Sequence, residues 1–186
     1  MNKILLLGLF GFAHSGCPDL KSMKASNVDM SHAEGHWYEI SFHDIAQVGA
    51  TCQQNNNTFS IDTGNVKQEF STKYGPIPFK QTYIYEAVEG ESGLYTKYLE
   101  GAHDLLTLPT AIVDVIRDEQ TGDYTVLTEY TCKSVAGVVK ATELRISART
   151  KTLSNETLAR VKQVALERGV PEGDIDGLRV VDHSKC

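Results

Sequence analysis

Between Trp37 and Arg149 the sequence repeats one pattern: a short run rich in Tyr, Thr, Val and Phe, a few turn residues, then another such run. β-Branched and aromatic side chains suit a pleated, half-buried surface, and turn residues at this spacing mark consecutive antiparallel strands. Eight strands are expected: Trp37–His43, Thr51–Ile61, Val66–Lys73, Phe79–Val88, Leu94–Glu100, Ala111–Arg117, Tyr124–Cys132 and Glu143–Arg149. Between them, Asp62-Thr63-Gly64-Asn65, Tyr74-Gly75-Pro76, Glu89-Gly90-Glu91-Ser92-Gly93 and Gln120-Thr121-Gly122-Asp123 have hairpin-loop chemistry. Strands joined in this way, with no long crossover, leave exposed edges unless the sheet closes on itself. The expected fold is therefore all-β, an eight-stranded antiparallel up-and-down barrel, with an open sandwich as the alternative. One C-terminal α-helix should pack on its wall. Ser154 is the natural N-cap, Leu158, Val161 and Ala165 recur at helical spacing, and Gly169 followed by Pro171 ends the run.

The two ends set the compartment. Lys3 followed by the apolar stretch Ile4 to Ala13 has the charge-then-hydrophobic order of a secretion signal, and it is too short to span a membrane. Residues 1–16 are read as a signal peptide that is removed and 17–186 as one domain. A short retained anchor, a buried first strand and a bacterial lipoprotein acylated at Cys17 are the alternatives. The formal net charge of −6 disfavours a nucleic acid or an anionic membrane surface as partner. Cys17, Cys52, Cys132 and Cys186 lie dozens of residues apart, with no metal-ligand or redox-dithiol spacing, so disulfides are expected and no metal site. Three pairings are open, and loop-closure entropy separates the extremes by only about 1 kcal/mol.

Gly35-His36-Trp37 opens the first strand, and Arg149 ends the eighth just before the helix. In these features the chain resembles the lipocalins, whose Gly-x-Trp motif and late arginine meet at the barrel floor. Cys17-Pro18, Cys52, Tyr130-Thr131-Cys132 and Cys186 follow the order and approximate spacing of the apolipoprotein D and bilin-binding branch. The resemblance implies the bridges Cys17–Cys132 and Cys52–Cys186, and floor packing of Arg149 on Trp37. It also implies a calyx for a small hydrophobic molecule. Where the family usually has Thr-Asp-Tyr between the sixth and seventh strands, this chain has Arg117-Asp118-Glu119.

Wall residues follow from period-two alternation carried outward from Trp37 and Arg149. Glu39, Asn57, Phe59, Tyr83, Tyr85, Tyr95, Leu127 and Arg145 are the candidate ligand contacts. Arg145 on that parity either pairs with Glu143 or Glu39 or meets a ligand carboxylate, and a bulge that reversed the parity would turn it to water. Asn56-Asn57-Thr58 and Asn155-Glu156-Thr157 make Asn56 and Asn155 candidate glycosylation sites. No Gly-x-Ser-x-Gly elbow, phosphate loop or thiol nucleophile is present, so no catalytic residue is assigned.

The expected function is a secreted carrier or store, not an enzyme, that holds a lipid, retinoid, carotenoid or bilin type of molecule non-covalently. It needs no cofactor beyond a bound chromophore or lipid. Two alternatives stand beside it. One is a lipocalin-fold enzyme acting on a bound lipid or pigment, with Glu39 or Glu143 as its acid or base. The other is a protein or membrane contact through the rim loop 103–109, which carries Leu105, Leu106 and Leu108.

Overall fold

Eight strands pair antiparallel in chain order and the eighth returns to the first, so the sheet has no free edge around the barrel. This architecture comes from a computed structural model that describes residues 16–103, 106–135 and 139–186, without the side chains of Val135 and Val139. The expected signal segment, apart from Gly16, lies outside the described residues, as does Leu105. The barrel strands are β1 Gly35–His43, β2 Ala50–Phe59, β3 Val66–Tyr74, β4 Ile77–Ala87, β5 Leu94–Leu99, β6 Leu108–Arg117, β7 Tyr124–Val135 and β8 Val139–Ala148. β6 begins earlier than expected: Leu108 and Pro109 pair with Lys97 and Thr96 of β5, so the rim loop is shorter than 103–109.

The helix forms where its caps place it. It spans Asn155–Glu167, with the Ser154 hydroxyl accepting from Thr157 N at 3.0 Å, and it buries Val161 and Ala165. Two shorter helices were not expected, Leu20–Met23 before the barrel and Glu172–Asp176 after the long helix. A ninth strand was also missed: β9, Arg179–Val180, pairs with Ser41 and Phe42 of β1. β2 pairs with β1 only from Gly35 to Tyr38. Above that point the C-terminal segment takes its place beside β1, with Val181 N donating to Ile40 O at 3.0 Å and Cys52 N donating to Asp182 O at 3.2 Å. Cys52 adopts a left-handed φ of 62° at the bulge where this happens.

Three packed clusters follow from strand alternation. Inward residues Trp37, Val66, Tyr85, Tyr95, Ile112, Tyr124 and Leu127 fill the closed end with Met30 and Ala33, which come from a short turn of helix crossing the floor. Outward residues Ile40, Val126, Ile146 and Ala148 pack with Val161 of the long helix. A second outer cluster joins Val113, Tyr130 and Leu144 to Met23, Ala165 and Ile175. The bridges are Cys17–Cys132 and Cys52–Cys186, the pairing that the resemblance implied. They tie both ends of the described chain to the wall.

Candidate functional site

The floor shows why its residues are where they are. The Arg149 guanidinium carbon lies 4.0 Å from the Trp37 ring centroid. Its nitrogens donate to the carbonyls of Glu34 at 2.7 Å, His36 at 2.9 Å and Tyr124 at 3.1 Å. Trp37 Nε1 donates to Ala33 O at 2.8 Å. Gly35 has a φ of 92°, which a side chain would strain, and this turn brings the chain from the floor into β1. Arg117, in the segment that departs from the family pattern, donates to Asn27 O at 3.0 Å and lies 4.6 Å from the Tyr124 ring centroid. It thereby secures the same floor segment by another route.

Above the floor the barrel interior is charged. Arg145 is its centre. Its Nη2 donates to Glu129 Oε1 at 2.5 Å and to the Tyr85 hydroxyl at 2.7 Å, Nε lies 2.7 Å from Glu143 Oε1, and Nη1 lies 3.7 Å from Glu39 Oε2. Lys97 Nζ donates to Glu143 Oε2 and lies 3.8 Å from Glu129 Oε1, with the Tyr83 and Tyr85 ring centroids at 5.2 and 5.7 Å. Tyr85 donates its hydroxyl proton to Glu129 at 2.9 Å. Glu39 and Lys97 are 0% exposed and Arg145 2%. Glu39, Glu129 and Glu143 therefore share one guanidinium and one ammonium in a layer largely withdrawn from water, with 12% of the Glu143 side chain exposed.

The electrostatics follow from that crowding. Burial raises Glu39, Glu143 and Glu129 add to the effect, and Arg145 opposes it; the outcome is a carboxyl group pushed up to about 8. For Glu143 burial also works upward, but Arg145 and Lys97 outweigh it and hold the group below its ordinary value. Burial alone would lower Arg145, yet Glu129 and Glu143 beside it raise it well above the usual guanidinium range. Among the described residues, neither oxygen of Glu39, neither amide atom of Gln53 and not the Asn55 carbonyl has a hydrogen-bond partner, although all three side chains are buried. Such groups cost about 1–3 kcal/mol each when nothing meets them.

The candidate ligand contacts divide between two levels. Tyr95 and Leu127 are buried in the floor cluster and Phe59 packs against it. Asn57 bridges upward from the floor, its amide donating to Ala33 O at 3.2 Å and its oxygen accepting from Gln68 at 3.1 Å. Glu39, Tyr85 and Arg145 form the charged layer, and Tyr83 stands on its open-end side, partly exposed. Arg145 points inward. A bulge does exist, but it lies in β1 between Glu39 and Ser41, so it turns Phe42 rather than Arg145. Phe42 is buried opposite Arg145, and Phe70 shares the inward parity of Val66 and Gln68. Asn56 on the outer face of β2 and Asn155 at the start of the long helix are exposed. Leu106 is exposed beyond the rim and Leu108 half-buried.

Lys97, Glu129 and Gln68 were not among the expected contacts. Two of them were within reach of alternation, since Lys97 lies two residues after Tyr95 and Glu129 two after Leu127.

No protein-family model and no curated protein sequence matches the chain. Solved structures do. Lobster apocrustacyanin A1 is 12% identical with a TM-score of 0.66, the match covering 90% of this chain and 87% of that one. Insecticyanin from the tobacco hornworm Manduca sexta is 14% identical with a TM-score of 0.66, over 91% and 87%. Odorant Binding Protein OBP1 is 11% identical with a TM-score of 0.61, over 86% and 96%. Identities at this level speak for the path of the backbone. With the closed eight-stranded barrel, the helix on its outer wall and the tryptophan–arginine floor, they establish that the chain has the lipocalin fold.

Proposed function

We propose that the chain is a secreted carrier or store that encloses a small molecule, non-covalently, in the open half of its barrel. The observation that carries this reading is the charged layer itself. It faces the barrel's interior above the floor, and buried polar atoms of Glu39, Gln53 and Asn55 have no hydrogen-bond partner among the described residues. Beside it Phe42, which pairs with Arg145, supplies aromatic wall for an apolar body together with Phe70 and Tyr83. Among ligands of lipid, retinoid, carotenoid or bilin type, those with a hydrogen-bonding group suit this cup, because a pure hydrocarbon would leave the layer unsatisfied. An odorant-binding protein with the same fold supports a carrier role by analogy, and two disulfides suit an extracellular life.

Native mass spectrometry with an absorbance spectrum, on protein purified from its source, tests the proposal. A bound mass that leaves on mild activation is the expected result. A bare chain that also fails to take up N-phenyl-1-naphthylamine, a neutral fluorescent hydrophobe, would refute it.

One observation favours a second reading, an enzyme acting on a bound lipid or pigment. A buried acid held up to about 8 is suited to general acid catalysis near neutral pH. Turnover of a bound substrate that disappears in Glu39→Gln would support that reading, and unchanged turnover would remove it.

A further inference from the structure

The wall of the barrel has a seam beside Glu39. β2 stays on β1 only from Gly35 to Tyr38, and beyond that the C-terminal segment, not a barrel strand, lies along β1. That segment hangs on few bonds. Val181 N donates to Ile40 O, Cys52 N to Asp182 O and His183 Nε2 to Glu39 O at 2.8 Å, while Lys73 Nζ donates to Lys185 O at 3.4 Å. Ser184, Lys185 and Cys186 are exposed. The covalent tie is the bridge from Cys186 to Cys52, on the far side of the seam.

What lies behind the seam favours its opening. Glu39, and Gln53 next to Cys52, are 0% exposed, and all four polar atoms of their side chains lack a hydrogen-bond partner among the described residues. Water admitted here would meet groups that the closed wall leaves unsatisfied. Cys52 is held at a left-handed φ of 62°, a conformation that a side chain strains and that a freed residue leaves. From outside, a pocket of about 200 Å³ leads to the bridge, lined by Cys52 and Cys186 together with Lys73, Lys80 and Phe79. Its two ammonium groups attract a thiolate, the nucleophile of disulfide exchange. The other bridge is less accessible, since Cys132 is 2% exposed and Cys17 packs against the outer cluster.

We propose that Cys52–Cys186 is a reducible clasp on a side gate of the barrel, opened by a small thiol so that water reaches Glu39 and the enclosed ligand is released. Release rests on the carrier reading above; opening does not. The thiolate attacks the sulfur of Cys186, the exposed partner, forms a mixed disulfide with it and expels Cys52 as a thiolate, which takes a proton from water. A second thiolate attacks the small-thiol sulfur of that mixed disulfide, and Cys186 leaves as a thiolate that is protonated in turn. Two small thiols are thereby oxidised to their disulfide and the bridge is reduced to two protein thiols, while Cys17–Cys132 remains closed on β7.

The test treats the oxidised protein with glutathione at pH 8, with N-phenyl-1-naphthylamine as the ligand probe. Iodoacetamide trapping and a peptide map should find Cys52 and Cys186 reduced about tenfold or more faster than Cys17 and Cys132. In that state hydrogen exchange over residues 179–183 and 50–53 should quicken about tenfold or more, with 110–116 and 124–131 unchanged, and the dye should bind about tenfold more weakly. The double variant Cys52→Ser, Cys186→Ser should show the same opened wall without thiol, and if it does not fold the glutathione series on the wild type still decides. Equal reduction of both bridges, unchanged exchange across the seam once Cys52 and Cys186 are thiols, or loss of protection throughout the barrel while Cys17–Cys132 is intact overturns the gate. A dye that stays equally tight in the opened wall overturns release. If the oxidised protein takes up no dye, the carrier reading and release fall together, and hydrogen exchange alone decides the gate.

Discussion

Replacing Glu39 with Gln keeps the shape of a buried side chain and removes its ability to ionise. Burial holds this carboxyl at about 8 in the folded chain, against an ordinary value of 4.5. The fold therefore keeps a proton that the unfolded chain releases, and stability drawn from Glu39 falls as pH rises through that window. The sign is opposite to that of a salt-bridged carboxylate with a depressed value. Applying linkage to these two values, the loss between pH 6 and pH 8 is about 2–3 kcal/mol, and it levels off above about pH 8. For a domain of this size one kcal/mol moves Tm by about 2–4 °C. Thermal melts followed by circular dichroism from pH 5 to 9 should show the wild-type Tm dropping about 5–10 °C relative to Glu39→Gln between pH 6 and 8. Asp44 and the remaining titrating groups are common to both proteins, so the difference isolates Glu39. Two curves that run parallel over that interval would show Glu39 ionised within the fold and would refute the reasoning, as would a wild type that gains on the variant toward alkaline pH.

Three further outcomes follow from the same contacts. Arg145→Met leaves Glu39, Glu129 and Glu143 without their shared guanidinium and should cost about 3–5 kcal/mol in urea unfolding at pH 7, and a loss under about 1 kcal/mol would show the pairs to be unimportant. Arg149→Ala removes a stacked cation and its bonds to three floor carbonyls, a loss of about 2–3 kcal/mol, so an unchanged Tm would remove the floor role. A non-reducing peptide map should recover Cys17 with Cys132 and Cys52 with Cys186, and the double variant Cys52→Ser, Cys186→Ser should lose about 2–4 kcal/mol. A peptide joining Cys17 to Cys52 would contradict that connectivity.

The barrel was legible because its evidence is local. Turn chemistry at Asp62 to Asn65 or Gln120 to Asp123 marks a hairpin without reference to the rest of the chain, and eight strands in that style have few ways to avoid free edges. β9 was not legible for the opposite reason. Arg179 and Val180 have no strand pattern of their own, and they become a strand only because β2 leaves β1 after Tyr38 and exposes a row of backbone groups. The interior lies between these cases. Parity runs along one strand, so Glu39 and Arg145 could be turned inward from Trp37 and Arg149, and Lys97 and Glu129 were within the same reach. Register between strands is what parity omits. Whether a charged residue facing the interior finds a partner depends on residues of β5, β7 and β8 that are dozens of positions apart in sequence, and without that knowledge an inward lysine counts against the strand that carries it.

That dependence also bears on what the layer is for. Replacing a buried ion cluster by well-packed apolar residues is often neutral or stabilising, so a buried cluster of five ionisable groups is a poor explanation for the barrel's stability. The barrel has other support, in the aromatic floor, the two clusters on its outer wall and two covalent ties. The floor already closes the lower end without help from Arg145 or Lys97. What the charged layer adds is a set of polar groups inside the barrel, above that floor and level with Phe42, which pairs with Arg145. On the proposed carrier reading, those groups serve a molecule that enters from the mouth.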